Sequence, residues 1–496
     1  MSKPKLVLSC AAFFVVPLRA EAQELLREHV DGYGMEAVAL ADVNGDGIPD
    51  FALQRFDPTA KGMEIVEVRG GKKGALIRAI PTPAPAGESW SFGGSLADAG
   101  DVDGDGVSDL LVGAMLAPDP AQTLVEAGAA YVYSGSDGHL IRAAYGSSDH
   151  EWFGATVAGL DDVAGDGSAD FLVESRVGSG VTNPFVTAFS GATGAVLYTV
   201  SDAKVPTRIS DHDFDGVRDF VAVFTSANVY SGATGGLIAT ITTNVGFLGG
   251  IAELDDLDGD GEPELALGEF GAANIDDGQV RVVSIPNLVT LRTHPFVDAH
   301  EMFGERIDSG LDADGDGVRD YLVGACGFFN LPGSASLFSG RTGERLYRFV
   351  DRDADSFMGN AVAGLGDLDG DGFDDCLIGS PYHVPPGTNK LGADRVFRGN
   401  DLWLDAYPKS VAAGATGTAV IHGAPFGNPV ALFVVDFAGT PAFQLAGFGV
   451  ANSLEAFNVI GTVLAGLAGK EWTLRAYALD PNGKLMVSAD EVLAFE

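Results

Sequence analysis

Short apolar runs recur along most of the chain, and each follows directly on an acidic stretch. The runs are Phe51-Ala52-Leu53, Leu110-Leu111-Val112, Phe171-Leu172-Val173, Phe220-Val221-Ala222, Leu265-Ala266-Leu267, Tyr321-Leu322-Val323 and Cys376-Leu377-Ile378. They are continuous rather than alternating, which predicts strands buried on both faces. Further on, an alternating strand such as Ala130-Tyr131-Val132-Tyr133 leads into a glycine turn. The turns are Ser134-Gly135-Ser136-Asp137-Gly138 and the matching stretches from Ser190, Ser231 and Ser339. Glycine at both turn positions suits the positive φ of a tight hairpin. Upstream of the acidic stretch stands a strand opened by Phe92-Gly93, Phe153-Gly154 or Phe303-Gly304, with Phe247 and Phe357 one residue further from their glycines. The predicted unit is strand, acidic loop, strand, long loop, strand, glycine hairpin, strand.

The acidic stretch has the form D-x-D-G-D-G-x-x-D and starts at Asp42, Asp101, Asp162, Asp211, Asp256, Asp312 and Asp367, spacings of 45 to 61 residues. A period near 50 with four strands per unit is that of a propeller blade. The expected fold is therefore all-β: a seven-bladed β-propeller over residues 29–404, followed by a small C-terminal β-sandwich over 405–496. The fourth unit lacks Phe-Gly before its loop, near Ile209, so a short blade is expected there. In the last 90 or so residues the repeat stops, and Thr418-Ala419-Val420-Ile421, Val430 to Val435 and Trp472 to Tyr477 read as strands of a sandwich.

Three short carboxylates at alternate positions of a glycine-rich loop, with a fourth where the next strand begins, form a donor set for a hard cation. Ca²⁺ takes six to eight oxygens. Candidate ligands are Asp42, Asn44, Asp46 and Asp50; Asp101, Asp103, Asp105 and Asp109; Asp162, Asp166 and Asp170; and Asp211, Asp213, Asp215 and Asp219. The remaining loops add Asp256, Asp258, Asp260 and Glu264; Asp312, Asp314, Asp316 and Asp320; and Asp367, Asp369, Asp371 and Asp375. Up to seven Ca²⁺ sites are expected, best equipped at Asp101, Asp312 and Asp367. The poorest are the loop at Asp162, which has Ala164 in place of a ligand, and the loop at Asp211, which has Phe214 in place of glycine. An EF-hand would carry Glu at position 12 between helices. Here that position is Leu53, Val112, Val173, Ala222, Leu267, Val323 and Ile378, all apolar.

Together with Gly113-Ala114, Gly324-Ala325 and Gly379-Ser380-Pro381 after the second strands, these motifs resemble the FG-GAP repeats of the integrin α-subunit propeller. The resemblance implies that the acidic loop joins the first two strands of each blade. It also implies that positions 1, 3, 5 and 9 bind calcium through side chains, and that the propeller serves extracellular adhesion or recognition.

Composition narrows the partners. Lys and Arg total 30 against 69 Asp and Glu, a formal charge of -39, which disfavours nucleic acid. Twenty-six of those acids sit at the candidate ligand positions. Residues 1–22 read as an export signal: Lys3 and Lys5, an apolar stretch from Leu6 to Leu18, and Ala20-Glu21-Ala22 as a cleavage site. That stretch is too short to span a bilayer, so the expected product is secreted or held at the cell surface, without a membrane span, and monomeric. Its expected partner is an extracellular protein or glycan, met by aromatic-bearing loops that carry Trp90, Trp152, Phe328, Phe329, Tyr382 and His383. The chain holds no G-x-S-x-G or H-E-x-x-H, so a recognition module is expected rather than an enzyme. The alternative is a secreted hydrolase or lyase acting on phospholipid or polysaccharide. Cys326 and Cys376 fall too far apart along neighbouring blades to form a disulfide.

Overall fold

A computed structural model describes residues 25–399 outside 31–33, 58–62, 86–87, 177–182, 244–246, 271–277, 296–301, 328–332, 352–355 and 385–391, and describes backbone strands over 403–495. The proposed export signal lies outside the described residues. Among them every regular element is a strand, and no helix is long and apolar enough to cross a membrane.

The seven sheets of the propeller are four-stranded and antiparallel. The first blade comprises Ala37–Leu40, Asp50–Asp57, Met63–Arg69 and Leu76–Pro81, hydrogen-bonded in chain order. Five further blades repeat this order. The seventh does not: Ala361–Gly366, Asp375–Ser380 and Ala393–Phe397 take their fourth strand from the other end of the chain, Leu25–Val30. That strand closes the ring. It pairs antiparallel with Ala393–Phe397, so that His29 faces Asp394 and Val30 faces Ala393. The fourth blade is short as expected, with second and third strands of four residues each, Phe220–Val223 and Ala227–Tyr230.

The core lies between blades rather than within them. Seven buried apolar clusters among the described residues each draw on two neighbouring blades, as when Val66 and Val68 meet Leu110, Val112 and Tyr131, or Phe51 and Leu53 meet Leu377 and Val396. A four-stranded sheet cannot cover either of its own faces, so each blade is stable only between two others. The Phe-Gly phenylalanines are part of these junctions: Phe92, Phe153 and Phe303 are buried in three of them. In the seventh blade Met358 fills that place, and Phe357 stands one residue earlier with a φ of 55°.

A second device joins the blades at their rims. Arg78, on the outermost strand of the first blade, donates from its two terminal nitrogens to the carbonyls of Gly135 (2.7 Å) and Ser136 (2.7 Å) in the next blade's hairpin. Arg27 does the same to Gly71 and Lys72 and Arg292 to Gly340 and Arg341, while Arg142 donates Nε to Gly191 O and a terminal nitrogen to Ala192 O. Tyr198 reaches Gly232 O at 2.6 Å. The hairpin glycines are needed for different reasons. Only the second of each pair takes positive φ, for example Gly138 at 78°. A Cβ there would also stand 2.1 Å from Cδ of Arg78. The first glycine is required by close approach, since a Cβ on Gly135 would lie 1.9 Å from the Ser108 carbonyl oxygen.

The C-terminal strands form two sheets, of three and six strands, consistent with the expected sandwich.

Removing the rim clamp by Arg78→Ala is expected to cost about 1–3 kcal/mol, the scale of charge-assisted hydrogen bonds. Gly135→Ala is expected to cost at least as much by overpacking against backbone. Urea unfolding of both variants checks this, and a change below about 0.3 kcal/mol for Arg78→Ala would remove the clamp from the list of stabilising contacts.

Candidate metal centres

The seven acidic loops share one internal wiring. The position-1 carboxylate accepts backbone amides ahead of it: Asp101 Oδ1 takes Gly104 N (2.7 Å) and Asp105 N (3.1 Å), and its Oδ2 takes Gly106 N (2.9 Å). Asp42, Asp162, Asp211, Asp256, Asp312 and Asp367 repeat the bond to the position-6 glycine. That glycine has φ between 81° and 96° in all seven loops, a region closed to other residues. Position 5 offers Oδ1 to the amide of position 7, as Asp105 does to Val107 at 2.9 Å. In the five loops with Asp at position 3, its Oδ1 accepts the amide of position 5, as Asp103 does from Asp105 at 3.1 Å. The loop amides therefore take both oxygens of the position-1 carboxylate but only Oδ1 of the aspartates at positions 3 and 5, leaving their Oδ2 to other partners.

Position 9 is different in character. Asp50, Asp109, Asp170, Asp219, Asp320 and Asp375 are buried. Each accepts an early loop amide on Oδ2 and the first hairpin glycine on Oδ1, as Asp109 does from Val102 (2.7 Å) and Gly135 (2.9 Å). The equivalent hairpin bonds go from Gly71, Gly191, Gly232, Gly340 and Gly399. The ninth residue thus fastens the loop to the hairpin as well as bordering the acidic cluster. In the fifth blade Ile285 occupies the glycine's place, and Glu264 Oε1 is left buried without a partner while Oε2 accepts from Leu257 N.

The carboxylates converge in five loops. Oxygens of Asp256, Asp258, Asp260 and Glu264 all lie within 4.8 Å of one another, as do those of Asp101, Asp103 and Asp109; Asp211, Asp213 and Asp219; Asp312, Asp314 and Asp316; and Asp367, Asp369 and Asp371. Asp105, Asp215, Asp320 and Asp375 belong to the same loops but stand outside these groups. In the first loop the Asn44 amide donates to both oxygens of Asp50, at 2.9 and 3.1 Å, and Asp42 and Asp46 bond loop amides. Among the described residues the loop of Asp162, Asp166 and Asp170 forms no such group, in keeping with the missing ligand at Ala164. The loop at Asp211 does converge despite Phe214. That residue adopts φ of 60° and leaves its ring 76% exposed, so the backbone keeps the glycine path at a cost of about 1–2 kcal/mol.

The more deeply buried of these acids hold their protons tightly. Burial raises Asp109 to about 6, Glu264 and Asp371 to about 7 and Asp375 to about 8, and the neighbouring carboxylates of each loop add repulsion. Convergent hard oxygen donors, with an orphaned Glu264 Oε1 among them, fit a divalent cation such as calcium.

Strand direction puts the loops between second and third strands at the opposite end of each blade. There the Trp152 indole donates to Glu126 Oε2 at 2.9 Å, and His150 Nδ1 contacts the same oxygen at 3.0 Å. Trp90 packs against the junction of the first two blades, and Tyr382 meets Phe357 edge to face at 5.3 Å. His383 is buried beside Asp351 at 3.0 Å; Phe328 and Phe329 lie outside the described residues. Cys326 and Cys376 are free and buried, and Cys326 Sγ donates to Glu305 at 2.7 Å.

Residues 93–133 match the model of the FG-GAP repeat. The chain is 29% identical to integrin alpha-5 of Xenopus laevis over 162 residues, covering 29% of this chain and 15% of that protein. It is 27% identical to integrin alpha-V of Gallus gallus over 214 residues, 40% of this chain and 20% of that protein. The chain thus spans at most a fifth of the length of these two relatives.

The raised acids set a sign for pH dependence. A carboxyl that titrates higher in the fold than in the unfolded chain contributes stability below its unfolded value, near 4, and loses it as pH rises through the folded value. With a chelator present, the melting temperature is therefore expected to fall between about pH 4 and 8, the contribution of Asp109 being lost by about pH 6 and those of Glu264, Asp371 and Asp375 by about pH 7 to 8. Saturating calcium should flatten that slope, because the ion competes with the protons. Parallel melts at three pH values decide it, and a chelated protein that gains stability towards pH 8 would contradict the assignment.

Proposed function

We propose that this chain, a seven-bladed FG-GAP propeller resembling that of integrin α-subunits, is an exported recognition module whose acidic loops hold calcium as a structural ion. The observation that carries the reading is the set of convergent carboxylates, above all the buried, unpartnered Oε1 of Glu264 among Asp256, Asp258 and Asp260. Calcium there would neutralise mutual repulsion and hold each loop against its hairpin. Its role is to stiffen the scaffold rather than to activate water. The other side chains at the candidate positions, Asp46, Asp105, Asp215, Asp320 and Asp375 among them, complete the shell directly or through water.

A ligand is met on the opposite end of the blades. The residue before the buried Phe or Met of the crossing stands in left-handed conformation at Ser91, Trp152, Met302 and Phe357, with φ of 51–55°. Backbone held in that region costs energy and is concentrated where side chains are presented for binding. Trp152, His150, Glu126 and the 47% exposed Tyr382 offer aromatic and hydrogen-bonding groups to an extracellular protein or glycan.

Two measurements test this. Each filled site at free calcium of 100 times its dissociation constant adds about 2.7 kcal/mol, so the melting temperature should rise by several degrees on adding calcium to chelated protein; no change, with no calcium copurifying, removes the calcium reading. A glycan and matrix-protein array probed with and without chelator tests recognition. Calcium-dependent turnover of phospholipid or polysaccharide by the same preparation would instead favour a hydrolase or lyase.

A further inference from the structure

The sixth and seventh loops carry full acid sets, yet each is already engaged by an arginine from its own blade. Arg341, third residue of its hairpin, donates Nε to Asp316 Oδ2 at 2.8 Å and a terminal nitrogen to the Asp316 carbonyl at 2.7 Å. Arg398, next to the hairpin glycine of the seventh blade, places a terminal nitrogen 2.7 Å from Asp369 Oδ2 and Nε 3.8 Å from Asp371 Oδ2. These are the oxygens that the loop amides leave open. The Oδ1 atoms of Asp316, Asp369 and Asp371 are spent on the amides of Val318, Asp371 and Phe373. The second and fifth loops differ: the residues matching Arg341 are Ser136 and Pro286 and those matching Arg398 are Ser134 and Ser284, all uncharged, while the neutral Asn287 donates to Asp260 Oδ2 at 2.9 Å.

We propose that Arg341 and Arg398 are tethered counter-cations that lower the affinity of the sixth and seventh loops for calcium, so that the second and fifth loops fill first. The inference rests on the calcium reading above. A guanidinium is always charged and forms directional bonds to carboxylate. In the chelated protein it offsets part of the repulsion among Asp312, Asp314 and Asp316, or among Asp367, Asp369 and Asp371. A divalent ion needs the same oxygens and must displace it. Displacement is open to both side chains, since Arg341 is 51% and Arg398 27% exposed. The loops with the most complete acid sets are, on this view, not all the tightest. The propeller answers calcium in steps, with the last two blades stiffening only at higher concentration.

Calorimetric titration of the chelated full chain with calcium, comparing the wild type with Arg341→Gln/Arg398→Gln, tests the proposal. Two sites are expected to shift about three- to tenfold tighter, while the sites of the second and fifth loops hold their affinity. Melts supply a second readout. In chelator the double variant should be less stable than the wild type, and in saturating calcium the difference should shrink or reverse. Weaker binding by the variant would make the arginines supports of the bound ion, and unchanged affinities would make them bystanders; either overturns the proposal. A titration in which the wild type takes up no calcium at all fails the calcium reading first, and is recognised before any variant is made.

Discussion

In five of the blades the glycine that opens the hairpin is gripped at both ends, and much of the propeller depends on that grip. In the second blade, Gly135 donates its amide to buried Asp109 of its own sheet, and its carbonyl accepts from Arg78 of the preceding blade. Gly71, Gly191, Gly232 and Gly340 are held likewise, with Tyr198 standing in for arginine at Gly232. The amide bond fixes the acidic loop to the far side of its own sheet. The carbonyl bond sets the distance to the next blade. A side chain at the glycine would strike the loop's own backbone, so the close packing that makes the grip possible also explains the residue.

The apolar junctions supply most of the stabilisation, because each blade buries its two faces only against neighbours. Apolar contact is not directional, however, and does not by itself set how far one sheet rotates against the next. The rim clamps do. They place directional, charge-assisted bonds at the outer edge, where a small rotation produces the largest displacement. The seventh blade shows the same logic under a harder constraint, since its fourth strand comes from the start of the chain. There Arg27 clamps the first hairpin, and Glu28 pairs with Arg395, which in turn contacts Asp351 at 3.0 Å. Charged groups hold the closure on both faces of one strand.

The loops are also linked to one another. Arg319, next to Asp320, donates its amide to Asp255, next to Asp256 (2.7 Å), and Asp374 exchanges hydrogen bonds with the backbone of Asp312. Neighbouring acid clusters therefore share a backbone framework. This is a reason for the candidate sites to be built on rigid turns with amides already committed: the carboxylates are positioned by the chain before any ion arrives.

The amino-acid sequence determined the repeat, its count, the four-strand unit, the acidic loops and the short fourth blade. All of these are written in local spacing, in runs such as Leu110-Leu111-Val112 and turns such as Gly104 and Gly106, whose conformation depends on near neighbours. It also pointed to Ala164 as a missing donor. What it did not disclose involves residues distant along the chain. Leu25-Leu26-Arg27 has the same beginning as Leu76-Ile77-Arg78 and Leu140-Ile141-Arg142, a signal for the closing strand, but only pairing with Ala393–Phe397 makes it the last strand of the seventh blade. The double role of Asp109 and its equivalents, the tolerance of Phe214, and the arginines lying on Asp316 and Asp369 are likewise decided in three dimensions. A motif specifies which atoms can bind a cation. Burial, and the side chain that folding brings beside those atoms, decide which of them remain free to do so.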